Sequence, residues 1–144
     1  MKKFKVEEFQ IHDWVWIFDP DFKEDKNAYQ ITKLQYDNWS VDNGIKVHEF
    51  TDLYPEEWFE GIRLTKKILD LNLNYENDTE DGSYYSLNNS LIWGVFDKGT
   101  FYMCFNGQQN MIPIRYVHQL QQGLRLVGLI DEANNFKVKK SHDQ

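Results

Sequence analysis

The feature that most constrains the fold is a series of three apolar segments separated by short turns between residues 84 and 105. Each segment has strand length and is rich in aromatic and β-branched residues, and the intervening residues are Asn, Ser, Asp, Lys and Gly. The pattern predicts a three-stranded antiparallel meander, which a fourth strand through Met111 and Ile112 would extend. The three segments are Tyr84–Leu87, Leu91–Phe96 and Thr100–Phe105.

The turns also predict a register. A three-residue loop ending with Gly99 in the left-handed conformation pairs Val95 with Phe101, and a similar loop over residues 88–90 pairs Tyr85 with Trp93. One face then carries Trp93, Val95, Phe101, Met103 and Phe105, and the other carries Ile92, Phe96, Tyr102 and Cys104. Because the second face is also largely apolar, we expect another part of the chain or a second subunit to cover it.

A C-terminal helix is predicted over Ile114–Leu129, with Pro113 near its first turn. Its apolar stripe should lie on the meander and consists of Tyr116, Val117, Leu120, Leu124 and Val127. The same helical geometry places His118 on the opposite side, where it forms a candidate recognition surface with Gln121, Gln122 and Arg125. An exposed histidine without a role is the simpler interpretation.

The first part of the chain predicts a small curved antiparallel sheet. Strands are expected over Asp13–Phe18 and Tyr29–Tyr36, followed by a hairpin around Gly44 that pairs Val41 with Ile45. An SH3-like partial barrel is one arrangement compatible with these short strands. Four tryptophans in this part, Trp14, Trp16, Trp39 and Trp58, are a candidate aromatic binding surface or dimer interface.

Between these parts, residues 51–62 are interpreted as a connector, and Thr65 is placed to cap a short helix that ends near Asn72. The acidic stretch Glu76–Gly82 matches an EF-hand loop poorly and is interpreted as a solvated loop. The predicted fold class is α+β in a single domain, 1–144. Two lobes are allowed for, 1–61 mainly β and 62–130 α+β, followed by a polar tail over 131–144.

Charge and cysteine content limit the classes of partner and the cellular compartment that we expect. The net charge is −7, and residues 1–61 hold 7 Lys and Arg against 14 Asp and Glu, whereas residues 62–144 hold 9 of each. Direct nucleic-acid binding is therefore disfavoured, while an acidic half suits a basic partner or simply favours solubility. Cys104 is the single cysteine, and no apolar run suggests a signal peptide or a membrane span. We expect a cytoplasmic protein, with a homo-oligomer left open.

The sequence lacks the common catalytic and cofactor signatures. The four histidines, His12, His48, His118 and His142, lack the short spacing of a metal site. No G-x-G or Gly-Lys-Ser/Thr motif suggests a nucleotide, and no G-x-S-x-G motif suggests a nucleophile. The sequence predicts no catalytic residue, no metal and no cofactor.

The run Tyr116–Gln121, Y-V-H-Q-L-Q, resembles the C-terminal helix of a family of small uncharacterised bacterial proteins that phages and other mobile elements often carry. Residues 9–15 and 62–69 look like the opening L-R-I-G-N-W-V strand and the I-P-L-T-E-E-I-L helix start of that family. The chain departs from the pattern at His12-Asp13 and at Gln122-Gly123-Leu124. The resemblance implies an accessory mobile-element protein and assigns no catalytic residue.

Three hypotheses follow. The first is a non-enzymatic module that binds a protein through the aromatic or the His118 surface. The second is an acidic inhibitor of a nucleic-acid-binding protein, which the charge asymmetry supports. The third is an enzyme whose site is assembled from residues far apart in the sequence.

Overall fold

A computed structural model describes residues 4–35, 44–47, 54–105 and 110–139 of the 144-residue chain. The fold is α+β, as predicted, and it contains two compact units. The first lies within Met1–Ile62 and Val138–Gln144, and the second within Arg63–Lys137. Each unit contains one five-stranded antiparallel sheet, and all described helices longer than a single 3-10 turn belong to the second unit.

The sheet of the first unit has the strand order β4-β3-β2-β1-β5. Strand β1, which lies between β2 and β5, is buried at all four positions, which explains why its sequence, Trp-Val-Trp-Ile, is apolar without alternation. The five strands are β1 (Trp14–Ile17), β2 (Asn27–Gln35), β3 (Gly44–Val47), β4 (Tyr54–Pro55) and β5 (Phe59–Glu60). The predicted antiparallel sheet is thus present, while its curvature and its SH3-like character stay predictions.

Two expectations for this unit need correction. Ile45 pairs with Leu34 on one side and with Tyr54 on the other, so no side of it is left for the predicted partner Val41, which lies outside the described residues. The expected connector contains β4, a 3-10 turn at Glu56–Trp58, and β5. Pro55 is compatible with β4 because this strand lies at the edge of the sheet, where proline is tolerated.

The second unit begins with α1 (Lys66–Asn72), which starts after Thr65 and ends at Asn72 as predicted. The Thr65 hydroxyl accepts a 3.2 Å hydrogen bond from the backbone N–H of Ile68 and so caps the helix. Leu64, just before the cap, and Leu69, within the helix, are both buried.

The meander has five strands rather than three or four, in the order β10-β9-β8-β7-β6. The additional strand is β6, which occupies most of the stretch expected to be a loop, and its six residues are all exposed. Its polar sequence is compatible with an edge strand, because pairing with β7 uses the backbone and needs no apolar side chain. The strands are β6 (Asn74–Thr79), β7 (Gly82–Leu87), β8 (Ile92–Asp97), β9 (Thr100–Phe105) and β10 (Ile112–Ile114).

Both predicted turn registers are wrong by one residue. Lys98 and Gly99 have φ values of 50° and 85° and form a two-residue turn, so Phe96 pairs with Phe101 and Val95 with Tyr102. Two positive φ values are the signature of a type I′ turn, which matches the twist of the strands. At the other turn, residues 88–91 form the loop and Leu87 pairs with Ile92.

The corrected register exchanges residues between the two faces, because side chains alternate along a strand. Trp93 and Val95 lie on the opposite face from Phe101 and Met103, not on the same face as predicted. The buried face contains Tyr85, Ile92, Gly94, Phe101 and Met103. It is the face toward the C-terminal helix, since Gly123 of that helix approaches Met103 and Ile114.

The C-terminal region contains α2 (Val117–Leu126) and α3 (Ile130–Asn134). Tyr116, Val117, Leu120 and Leu124 are buried as the stripe predicted, whereas Val127 is only half-buried. Helix α2 is shorter than expected, because Ile114 belongs to β10. Residues 131–137 are not a polar tail, because α3 forms there and Ala133 and Phe136 are buried.

Candidate functional site

The tryptophans proposed as a binding surface are largely withdrawn from solvent. Trp14 and Trp16 are 8% and 7% exposed, Trp58 is half-buried, and Trp39 lies outside the described residues. Both tryptophans belong to β1, which pairs with β2 along its length and with β5 at Trp16 and Ile17. They are core residues of the first unit, and the expected exposed platform is wrong for both of them.

The predicted surface around His118 is also mainly interior. His118 and Gln121 are 1% and 0% exposed, and Gln122 and Arg125 are half-buried. Gln121 Nε2 donates a 3.0 Å hydrogen bond to the Ala133 carbonyl oxygen, and Arg125 Nε donates one of 3.2 Å to Asn134 Oδ1. Helix α3 therefore binds this side of α2. The prediction is wrong because it expects a polar tail over residues 131–144, where the structure has α3.

The structure instead brings together a row of side chains on the meander face opposite α2. Register pairs run across all five strands, from Pro113 to Tyr102, from Tyr102 to Val95, from Val95 to Tyr84, and from Tyr84 to Asn77. Paired residues point to the same face of a sheet. We call these five residues the aromatic row.

Most of the aromatic row remains accessible to solvent. Tyr102 is 38% exposed, Pro113 and Asn77 are exposed, and Val95 and Tyr84 are half-buried. The half-buried Trp93 extends the aromatic surface, with its ring 6.1 Å from that of Tyr84. The sequence contained part of this signal, because an apolar second face was predicted, but the register error assigned Trp93 and Val95 to the wrong side.

A second feature is the acidic edge formed by β6. Among the described strands, β6 pairs only with β7, so its other side is a sheet edge. Ser86 Oγ donates a 2.5 Å hydrogen bond to Glu76 Oε1, and Ser83 Oγ donates one of 2.9 Å to Asp78 Oδ1. The hydrogen bond from Ser83 lowers the pKa of the Asp78 carboxyl, which is therefore ionised at neutral pH.

A third feature joins α1 to the meander. Lys66 Nζ donates a 3.2 Å hydrogen bond to Tyr85 Oη and lies 4.5 Å from the centre of the Tyr75 ring. The Tyr85 hydroxyl in turn donates a 2.6 Å hydrogen bond to Asp70 Oδ1. Burial, and then the interaction with Asp70, raise the pKa of Tyr85, so its phenol stays protonated at neutral pH. This arrangement suits a structural connection better than a phenolate base.

Cys104 is buried, and burial raises the pKa of its thiol, which disfavours the reactive thiolate. Within the ranges that the structure describes, no three His, Cys, Asp or Glu side chains are grouped to hold a metal ion. The helices of the described part are all too short or too polar to cross a membrane.

Comparisons with protein-family models, with curated proteins and with solved structures found no match. The geometry of the aromatic row and of the acidic edge is therefore what bears on function.

Proposed function

We propose that the chain is a non-enzymatic interaction module that binds an apolar segment of a protein partner through the aromatic row. The observation that carries this proposal is the contrast between the two faces of one sheet. The face toward α2 is filled by fully buried side chains such as Phe101 and Ile92, whereas Tyr102 and Pro113 remain exposed on the other. An exposed apolar surface of this kind is typical of an interaction site.

The composition of the aromatic row and of the adjoining Trp93 favours a protein over a nucleic acid. Tyr and Trp combine a large apolar surface with a polar group, and they are enriched where protein interfaces have their most important contacts. Residues 68–97, which include β6, β7 and β8, contain six Asp and Glu and no Lys or Arg. Phosphate groups would therefore meet no Lys or Arg that belongs to these three strands.

The proposal is tested by selecting peptides from a random phage-displayed library on the purified full chain. We expect a consensus containing apolar residues, and Tyr102→Ser should weaken binding of the selected peptide about five- to thirtyfold, as for a central interface aromatic. Val95→Thr, nearly isosteric with the native residue, should weaken it as well. The matched control is Leu126→Ser, which removes an apolar side chain that is 84% exposed on α2.

Two results would contradict binding at the aromatic row. One is an equal loss of peptide affinity in Leu126→Ser and Tyr102→Ser, and the other is an affinity for the selected peptide that neither Tyr102→Ser nor Val95→Thr changes.

We also propose that this module is an accessory protein of a mobile element. The support for that role is the resemblance at Tyr116–Gln121 described above. It would be tested by finding the gene within phage or plasmid sequence.

A second candidate, an acidic inhibitor of a nucleic-acid-binding protein, is favoured by one loop of the first unit. Phe22 is 60% exposed, and Asp21, Glu24 and Asp25 beside it are exposed as well. An exposed aromatic among carboxylates suits a basic groove with an apolar floor. This role predicts a partner that is lost at high salt and in Phe22→Ala, whereas binding at the aromatic row should resist salt and depend on Tyr102.

A further inference from the structure

We propose that the outer edge of β6 binds a basic, extended segment of a partner protein, which adds to the meander as a sixth strand. This site goes beyond the aromatic row and does not depend on it. It uses backbone hydrogen bonds for affinity and two carboxylates for charge selection, as in other cases of strand addition to a sheet edge.

The two edges of the meander differ in what they offer to another strand. Strand β10 has three residues, and the central one is Pro113, which has no backbone N–H to donate. Strand β6 has six residues without proline, lysine or arginine, and every one of them is exposed. Sheet edges that must stay unpaired are commonly protected by proline, by lysine or by being very short, and β6 has none of these; the protective features it does have are two carboxylates and a register shift between Tyr75 and Asn77.

The carboxylates of β6 are distributed over both faces of the sheet. Asp78 pairs with Ser83 and accepts its hydroxyl hydrogen bond on the face of Tyr85. The register shift between Tyr75 and Asn77 brings Glu76 to Ser86, which lies on the opposite face. An added strand with Lys or Arg at adjacent positions would therefore meet one carboxylate on each face.

The charge of this region selects the occupant. Glu80 and Asp81 follow in the turn after β6, and residues 68–97 contain no Lys or Arg, although Lys66 of α1 lies over the Tyr75 ring beside the strand. A second copy of the chain would align acidic edges against each other, and like charges on adjacent strands are destabilising. A basic segment instead gains from the same charges, so we infer that it is the occupant.

The experiment uses the full chain and a fluorescein-labelled ten-residue peptide of alternating Lys and Thr, with binding followed by fluorescence anisotropy. The matched probe has the same residues and charge but is N-methylated at alternate backbone amides, which removes the hydrogen-bond donors of one side of a strand. We expect the unmethylated peptide to bind at least about tenfold more tightly and to slow hydrogen exchange of β6 amides.

The protein variant Glu76→Gln with Asp78→Asn should weaken the unmethylated peptide about three- to tenfold, as for two exposed charge pairs. Its control is Asp131→Asn with Glu132→Gln, which removes two exposed charges from α3 and should leave the affinity unchanged. Circular dichroism of both variants verifies that they are folded.

Equal affinity for the methylated and unmethylated peptides would overturn the proposal, because binding would then rest on diffuse charge. Absence of binding to either peptide would also overturn it and would assign the carboxylates to edge protection alone. Tyr102→Ser separates this site from the proposed function, since it should weaken peptides selected on the aromatic row and leave the Lys-Thr peptide unaffected.

Discussion

The Tyr85 hydroxyl of β7 donates a 2.6 Å hydrogen bond to the Asp70 carboxylate of α1, and Tyr85 itself is completely buried. The bond links a helix to a strand that follows it by only ten residues of chain. Removing the hydroxyl in Tyr85→Phe should cost about 1 kcal/mol, a modest value because Asp70 is half-exposed and regains water. Urea unfolding measures this loss, and Tyr102→Phe, on the exposed face, should change the free energy of unfolding very little.

The same residue predicts a pH dependence. Burial raises the pKa of Tyr85 above its ordinary value of 10.0, so the unfolded chain releases this proton more readily than the folded one. The stabilising contribution is fully present below pH 10 and is lost as the pH rises from there toward the folded pKa. Melting temperatures between pH 8 and pH 11 should fall at the alkaline end. An unchanged slope in Tyr85→Phe would contradict the assignment to Tyr85.

Two glycines of the second unit should respond differently to alanine. A Cβ at Gly94 of β8 would collide with the Tyr102 carbonyl oxygen, a backbone atom held in the sheet, so Gly94→Ala should cost about 3 kcal/mol. A Cβ at Gly123 of α2 would lie 2.9 Å from Met103 Cε, the mobile end of a flexible side chain. Gly123→Ala also gains about 1 kcal/mol of helix propensity, so its stability should stay within about 1 kcal/mol of the native chain.

The comparison needs both variants in the same unfolding experiment, with equal dependence on denaturant concentration as the check that the two-state description holds. Similar losses for Gly94→Ala and Gly123→Ala would mean that α2 is held against β9 more rigidly than a methionine contact implies.

In the first unit, Lys26 Nζ lies 2.8 Å from Glu60 Oε1, with only 19% and 10% of the two side chains exposed. Lys26→Met leaves a largely buried carboxylate without its partner and should cost about 2 kcal/mol, less than for a fully buried pair because water still reaches the site. Glu60→Gln should cost less, and Lys26→Met with Glu60→Gln should recover part of the loss. A double-mutant cycle measures the coupling, and strict additivity would show that the pair contributes nothing.

The acidic edge should also limit self-association. Neutralising it in Glu76→Gln with Asp78→Asn removes like-charge repulsion between copies, so sedimentation velocity should detect more dimer or larger species at high protein concentration. Asp131→Asn with Glu132→Gln removes the same number of charges elsewhere and should behave as the native chain does. If both variants associate equally, net charge rather than the β6 edge controls the effect.

The sequence predicted those parts of the fold that depend on local chemistry. The Thr65 cap, the apolar strands and the stripe of α2 follow from side-chain preferences and periodicities that act within a few residues. The polar strand β6 was missed, because an edge strand can be built with few apolar side chains. A two-residue turn at Lys98-Gly99 shifts the register by one residue relative to a three-residue turn. A shift of one residue moves every side chain of a strand to the opposite face of the sheet, and the local sequence did not distinguish the two turns.

The α+β class and the positions of most strands could therefore be read from the amino-acid sequence. The accessibility of individual side chains could not, because burial depends on elements far apart in the chain. Strands β2 and β5 flank the strand that carries Trp14 and Trp16, and α3 binds the side of α2 that carries Gln121. The aromatic row exists only after five strands pair in one register, which no single segment specifies.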